Sequence, residues 1–265
     1  MIGHSPRHGL RRGLCLASLF AATAVASADV YVDTFDNSSS AGGWTFGLTP
    51  VYPATGGNPG KYLKVTGLDT YAPQPRTTGA SVFTGNYRAK KVVRVGVDLT
   101  TIAVDFSAAG RPCTLMLVND NGTPSNANDD WAVYTMGPNV PLVGEGWKSY
   151  DFTVPAQATS LPAGWHSIKL GSASPTPDWN VAMQDVDKVV FFYGDPENFF
   201  IFQMWTLGLD NARIETKPAD IDGDGSVGPN DLALLLGAWG TSSNDLDGDG
   251  VVGASDLAVL LGAWG

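Results

Sequence analysis

Two stretches near the end of the chain repeat one pattern, Asp220-Ile-Asp-Gly-Asp-Gly-Ser-Val-Gly-Pro-Asn-Asp231 and Asp245-Leu-Asp-Gly-Asp-Gly-Val-Val-Gly-Ala-Ser-Asp256. In each, carboxylates at loop positions 1, 3, 5 and 12 can converge on one hard cation: Asp220, Asp222, Asp224 and Asp231, then Asp245, Asp247, Asp249 and Asp256. The position-7 carbonyl of Ser226 or Val251 adds another oxygen, and Gly225 or Gly250 at position 6 permits the sharp turn. The 220–265 segment carries these eight aspartates and no Lys or Arg, so its charges repel one another unless a cation intervenes. A segment this short also has little core of its own. Two calcium ions answer both problems, and metal binding and folding are expected to be one event. A merely solvated acidic tail would leave the aspartate spacing and both glycines unexplained.

Each loop runs into a nearly identical segment, Asp231-Leu-Ala-Leu-Leu-Leu-Gly-Ala-Trp-Gly240 and Asp256-Leu-Ala-Val-Leu-Leu-Gly-Ala-Trp-Gly265. Leu232, Leu235, Leu236 and Trp239, with Leu257, Leu260, Leu261 and Trp264, fall at helical spacing and are expected to form a shared core. No comparable helix precedes either loop. Such tandem, EF-hand-like half-hands with Asp at position 12 resemble dockerin type I repeats, over Asp220 to Gly265. The resemblance implies a calcium-folded plug that docks onto a cohesin-like or other cell-surface protein. The chain departs from the pattern in its short Thr241-Ser-Ser-Asn244 linker and in Pro229-Asn230 and Ala254-Ser255 at positions 10 and 11, which the family uses for partner recognition.

The opposite end predicts an export signal over residues 1–28. Arg7, Arg11 and Arg12 precede an apolar run from Leu14 to Val25, and Ala26-Ser27-Ala28 is a small-residue cleavage site. The run is short for a membrane span, and cleavage after Ala28 would yield a secreted or cell-surface protein with no later spanning segment. Cleavage would also remove three arginines and no acid from a chain with 16 Lys and Arg against 26 Asp and Glu, deepening a net charge of −10. That balance disfavours nucleic acid and anionic membranes as partners. Cys15 would leave with the signal, so Cys113 has no intrachain partner and reads as a small core residue.

Between residues 29 and 217 the pattern changes to short β-branched and aromatic runs separated by Gly, Pro, Asn and Asp. Candidate strands are Val30–Phe35, Trp44–Leu48, Tyr62–Thr66, Val92–Leu99, Thr114–Val118, Trp131–Met136, Ser149–Val154, His166–Leu170, Lys188–Tyr193, Phe199–Trp205 and Leu207–Ile214. The expected fold is therefore mainly β: an antiparallel β-sandwich of the jelly-roll type over 29–217, followed by a small α-helical tandem calcium-loop module over 218–265. The segments Asp33-Thr-Phe-Asp36, Gly43-Trp44, Gly57-Asn-Pro-Gly60, Trp147-Lys-Ser-Tyr-Asp151 and Gly208-Leu-Asp-Asn-Ala-Arg-Ile214 resemble carbohydrate-binding and laminin-IV-like jelly rolls of bacterial secreted proteins. By that resemblance Asp33 or Asp36 with Asp210 could hold a third, structural calcium; edge aspartates at turns are the alternative.

Sugar binding needs flat apolar faces flanked by hydrogen-bonding groups. Tyr71, Trp131 and Trp179 lie beside loops and are the candidate carbohydrate contacts, whereas Trp44, Trp147 and Trp205 sit in strand patterns and read as core. No catalytic residue stands out. After signal removal His166 is the only histidine, no nucleophile elbow surrounds it, and the pairs Asp185/Asp187 and Asp129/Asp130 carry no signature. The expectation is a non-catalytic, polysaccharide-binding sandwich with a docking module. A hydrolase or lyase on the same sandwich and a structural or adhesive envelope protein are the two alternatives.

Overall fold

The computed structural model describes residues 29–265; the export segment and its cleavage site after Ala28 lie outside the described residues. Nine strands and three helices follow in order: β1 (Asp29–Asp33), β2 (Leu63–Thr70), β3 (Val92–Val104), β4 (Pro112–Asn119), β5 (Trp131–Asn139), β6 (Lys148–Thr153), β7 (His166–Lys169), α1 (Trp179–Ala182), β8 (Lys188–Tyr193), β9 (Gln203–Thr216), α2 (Pro229–Gly237) and α3 (Ala254–Gly262). The strands form two antiparallel sheets. One runs β1-β9-β3-β6, with β2 also on β9, and the other runs β7-β5-β4-β8.

Alternation explains why the sheets face one another. In β3, Val95, Val97 and Leu99 are buried in the common core, while Arg94 on the opposite face is exposed. The partner sheet supplies Cys113, Leu115 and Leu117 from β4 and Val189, Phe191 and Tyr193 from β8 to the same core. The chain passes between sheets from β3 to β4 and again from β5 to β6, which gives the expected antiparallel sandwich. Cys113 is fully buried and free, and burial raises its thiol pKa, so it acts as a small apolar side chain.

Two of the expected strands merge and one is lost. Leu207–Ile214 extends without a break back to Gln203, forming the long β9, and Phe199–Phe202 falls outside it. The reason is a local turn: Asp195 Oδ1 accepts from the Glu197 N–H at 3.0 Å and Oδ2 from the Asn198 amide at 2.7 Å, so the chain bends before the aromatic run. Trp44–Leu48 forms a single bridge, Thr45 with Arg76, because Trp44 is drawn into the core between Phe83 and Phe191 at centroid distances of 5.2 and 5.4 Å. Trp147 is also misplaced by the pattern. It lies half-exposed outside the core, edge-on to Tyr62 at 5.3 Å, and donates its indole N–H to the Gly56 carbonyl. In β2 the ladder shifts between Thr66 and Leu68, and Gly67 takes the bulge at φ +69°.

The C-terminal helices start alike. Pro229 opens α2, and Asp231 and Asp256 reach back to the Gly228 and Gly253 N–H groups at 2.7 Å. The two halves interlock: Gly240 N–H donates to the Val252 carbonyl and Gly265 N–H to the Val227 carbonyl, so the end of each helix pairs with the other loop. Leu235 and Leu260 are fully buried beside Ala219, Val227 and Val252. The rest of the expected stripe is not core. Leu232 and Leu257 are half-buried, and Leu236, Trp239, Leu261 and Trp264 are exposed, because two nine-residue helices cover one another along one narrow line only. Among the described residues no helix is long and apolar enough to cross a membrane.

Trp205, fully buried at the start of β9 and edge-on to Tyr193 at 6.0 Å, tests the core assignment. Trp205→Ala is expected to lower stability by about 3–5 kcal/mol in chemical denaturation. A loss near zero would mean that the two sheets do not share this core.

Candidate functional site

The acidic loops have the geometry of a cation site at three of the four expected positions. Single carboxylate oxygens of Asp220, Asp222 and Asp224 lie within 4.8 Å of one another, as do those of Asp245, Asp247 and Asp249. Backbone N–H groups hold them there: Asp220 accepts from Gly223 at 2.8 Å and Gly225 at 3.0 Å, and Asp245 accepts from Gly248 at 2.8 Å and Gly250 at 2.7 Å. Gly225 and Gly250 take φ +97° and +95°, the left-handed turn assigned to position 6. Asp231 and Asp256 are differently employed. Each accepts N–H donors from loop positions 2, 3 and 9, and so ties the loop to the first turn of its helix. Among the described residues none of the eight carboxylates has a Lys or Arg salt bridge. Burial raises the Asp220 pKa against its backbone donors, and the charges of Asp231 and Asp224 raise it further. A preformed, uncompensated set of hard oxygens fits calcium. The Ser226 and Val251 carbonyls follow directly in their loops.

Asp36 and Asp210 come together, and Asp33 does not join them. A β-carbon on Gly57 would fall 2.8 Å from Asp210 Oδ2 and from the Gly60 carbonyl, and one on Gly60 would fall 2.5 Å from Asp36 Oδ1. The turn thus gathers two carboxylates and a carbonyl. Asp210 is fully buried, and its pKa is pushed up to about 6, first by burial and then by the charges of Asp98 and Asp36, against N–H donors from Asn58 and Asn211. Asp33 instead serves another turn, accepting from the Ser40 hydroxyl at 3.1 Å and the Gly42 N–H at 2.9 Å.

Of the expected sugar contacts Tyr71 alone reaches the surface. Trp131 and Trp179 are corrected to core: Trp131 starts β5 pointing inward, and Trp179 lies on α1 edge-on to Trp165 at 4.8 Å. Loop-like flanking sequence does not prevent the sandwich from closing over a ring. Tyr71 stands with Phe199 and Phe202, which are 78% and 59% exposed, in one clustered aromatic group. Tyr71 and Phe199 are stacked at 5.7 Å with 16° between planes, and Phe202 lies 5.7 Å from Tyr71. Arg111 fixes this corner from below, donating to the Tyr71 carbonyl at 2.6 Å and lying 4.1 Å over the Phe200 ring. Next to it on the outer face of the β7-β5-β4-β8 sheet, His166 stacks on Tyr134 at 5.2 Å. Burial, then the charges of Glu197 and Asp195, push the Tyr134 hydroxyl up to about 12. Phe199 and Phe202 escaped the sequence reading because the run looked like a strand. The Asp195-Pro-Glu-Asn turn before it was the available signal.

A third feature is a cavity of about 620 Å³ at one end of the sandwich, walled by Asp120, Asp185, Asp187, Arg76 and Lys188. Asp187 is pushed up to about 6, first by burial and then by the charges of Asp185 and Asp120, although its Oδ2 accepts the Asp120 N–H at 2.8 Å. The remaining glutamates with basic neighbours are paired, Glu145 with Lys148 at 2.7 Å and Glu215 with Arg94 at 2.9 Å.

No family model matches the chain, and no curated protein matches it in sequence. Among solved structures it is similar to an exo-β-agarase, at TM-score 0.41 and 15% identity over 71% of this chain, and it spans 25% of the agarase. It is also similar to the family 11 carbohydrate-binding module of the cellulosomal cellulase Lic26A-Cel5E of Clostridium thermocellum, at TM-score 0.40 and 13% identity over 71% of this chain and 96% of that one. A tandem family 22 carbohydrate-binding module from Paenibacillus barcinonensis Xyn10C aligns at TM-score 0.37 and 15% identity over 72% of this chain and 47% of that one.

Because burial pushes Asp187 up to about 6 in the folded state from an ordinary carboxylate value of 3.8, its contribution to stability is expected to fall as pH rises through that window. Urea denaturation across it should show a smaller slope for Asp187→Asn, with Asp210 among the groups that supply what remains. An unchanged slope would remove Asp187 as its source.

Proposed function

We propose that the chain is a secreted or cell-surface polysaccharide-binding protein whose β-sandwich takes up a glycan and whose C-terminal module docks, in a calcium-dependent manner, on a cohesin-like or other cell-surface protein. One observation carries the glycan reading: the Tyr71–Phe199 stack with Phe202 beside it, set between the end of β2 and the start of β9 and open to solvent. Flat apolar faces of this kind suit the apolar faces of sugar rings, and Asp195 and Glu197, in the turn that leads into Phe199, would supply hydroxyl acceptors. Such rings are otherwise costly to leave in water.

The docking reading is supported by the pseudo-symmetric helix pair, which exposes Leu236 and Trp239 on one half and Leu261 and Trp264 on the other. Calcium would be held by Asp220, Asp222 and Asp224 in one loop and by Asp245, Asp247 and Asp249 in the other, with the carbonyls of Ser226 and Val251. Asp231 and Asp256 would complete each shell by turning a carboxylate oxygen from the backbone to the ion. The Asp36 and Asp210 turn would take a third ion. The ions supply charge neutralisation, and the chain supplies the preformed loops.

Affinity electrophoresis against a polysaccharide panel tests the glycan site. Phe199→Ala and Tyr71→Ala are expected to weaken retention about threefold to tenfold, matching the ~0.5–1.5 kcal/mol of a good aromatic contact, and Phe199→Ala should leave the melting temperature nearly unchanged. Retention unaffected by both changes would remove this face from the reading. For the metal, circular dichroism of the 218–265 segment should show helix appearing as two calcium ions bind and disappearing with chelator. Helicity that ignores calcium would count against the loops as sites.

A further inference from the structure

The two acidic loops are nearly the same in sequence but not in surroundings. The first begins at Asp220, just beyond the end of β9 at Thr216, and lies against the sandwich. Lys91 Nζ donates to the Ile221 carbonyl at 2.9 Å, and Lys217 Nζ to the Gly225 carbonyl at 3.0 Å. Gly223 packs so closely on Gln157 that a β-carbon there would overlap its side chain, and the Gln157 amide is itself fixed by donating to the Arg88 carbonyl at 3.0 Å. A cavity of about 260 Å³ separates the rest of this loop from the sandwich. The second loop meets nothing comparable. Gly248, the counterpart of Gly223 at φ +80° against +76°, faces open space. Among the described residues no Lys or Arg side chain donates to a carbonyl of the second loop.

Both lysines hold the first loop from outside. Ile221 and Gly225 stand at positions 2 and 6, whose carbonyls are not in the ligand set of positions 1, 3, 5, 7 and 12. A cation inside the loop and the two ammonium groups outside it therefore select the same closed backbone without competing for an oxygen. Lys91 is set for this role at φ +53°, a left-handed conformation unusual for a residue with a side chain, and is pinned by its carbonyl accepting the Lys217 N–H at 2.9 Å. When one conformation serves two contacts, each contact raises the affinity of the other by the same factor.

We propose that the first loop is a calcium-dependent clamp that fixes the C-terminal module on the sandwich, while the second loop serves the module's own fold alone. This rests on reading the loops as calcium sites. With calcium removed, the repelling carboxylates of Asp220, Asp222 and Asp224 open the first loop, the Ile221 and Gly225 carbonyls leave their lysines, and the module swings on the Lys217–Ala219 connection. Calcium then sets how the glycan face is aimed relative to the docking face.

Calorimetric titration of the full chain with calcium, together with small-angle scattering, tests the clamp. Two classes of site are expected, the first about tenfold tighter, equivalent to about 1.4 kcal/mol. The double variant Lys91→Gln and Lys217→Gln should still bind two ions and keep its helicity, with the two sites now alike. In scattering, chelator should enlarge the wild-type chain, Asp224→Ala should be enlarged even with calcium, and Asp249→Ala should stay compact. Equal sites in the wild type, or dimensions that do not respond to calcium, would overturn the clamp while leaving the calcium reading intact. No calcium uptake at all would overturn the calcium reading and the clamp with it.

Discussion

Strand β9 is the constraint on which the rest of the molecule depends. Over fourteen residues it pairs with β3 along most of its length, with β2 along its first half and with β1 along its second. A strand with neighbours on both sides has little freedom to slip, since a shift of one residue would turn Trp205, Leu207 and Leu209 out of the core and Asp210 into it. The functional features are arranged along this strand. The exposed aromatic loop enters it at Gln203, the Asp210 turn sits in its middle, and the first acidic loop leaves from its end.

The carboxylates of this acidic chain are handled in two physically different ways. In the sandwich, Asp98 is met by a built-in cation and by amides: it accepts from Arg213 at 2.9 Å and from the Asn58 and Asn211 side chains at 3.0 and 2.8 Å. Arg213 also binds Asp151 with both a 2.8 and a 2.9 Å contact, a forked pairing that orients the whole group. In the C-terminal loops no such cation is built in, and backbone N–H groups alone gather the charges. Dipoles of this kind aim carboxylates without cancelling their charge. Asp210 stands between the two, buried in the sandwich yet met by the Asn58 and Asn211 backbone N–H groups and, among the described residues, by no cation.

Exposed rings at the opposite end of β9 follow the same economy of position. Arg111 is buried beneath the corner, between the Phe200 and Trp205 rings, and its donation to the Tyr71 carbonyl fixes the backbone that carries the surface ring. A ring stacked on its neighbour over a fixed backbone has less side-chain freedom to lose when a ligand lands on it. That stacking separates Tyr71 and Phe199 from exposed apolar residues scattered elsewhere on the surface.

The acidic loops were legible from sequence because their chemistry is local: the spacing of Asp220, Asp222, Asp224 and Gly225 defines a turn whatever surrounds it. Strand periodicity likewise disclosed an antiparallel sandwich, since alternation depends only on near neighbours. Burial of individual rings was decided by tertiary structure. Trp131 and Trp179 look like surface residues until the second sheet closes over them, and Phe199 looks like a strand residue until the Asp195 turn removes its partners. Leu236 and Trp239 have the spacing of core residues, yet a module of two short helices has nothing to cover them. The inequality of the two loops is equally invisible in a repeat that reads almost the same twice, because Lys91 and Gln157 lie far from it in the chain and only the end of β9 brings them into contact.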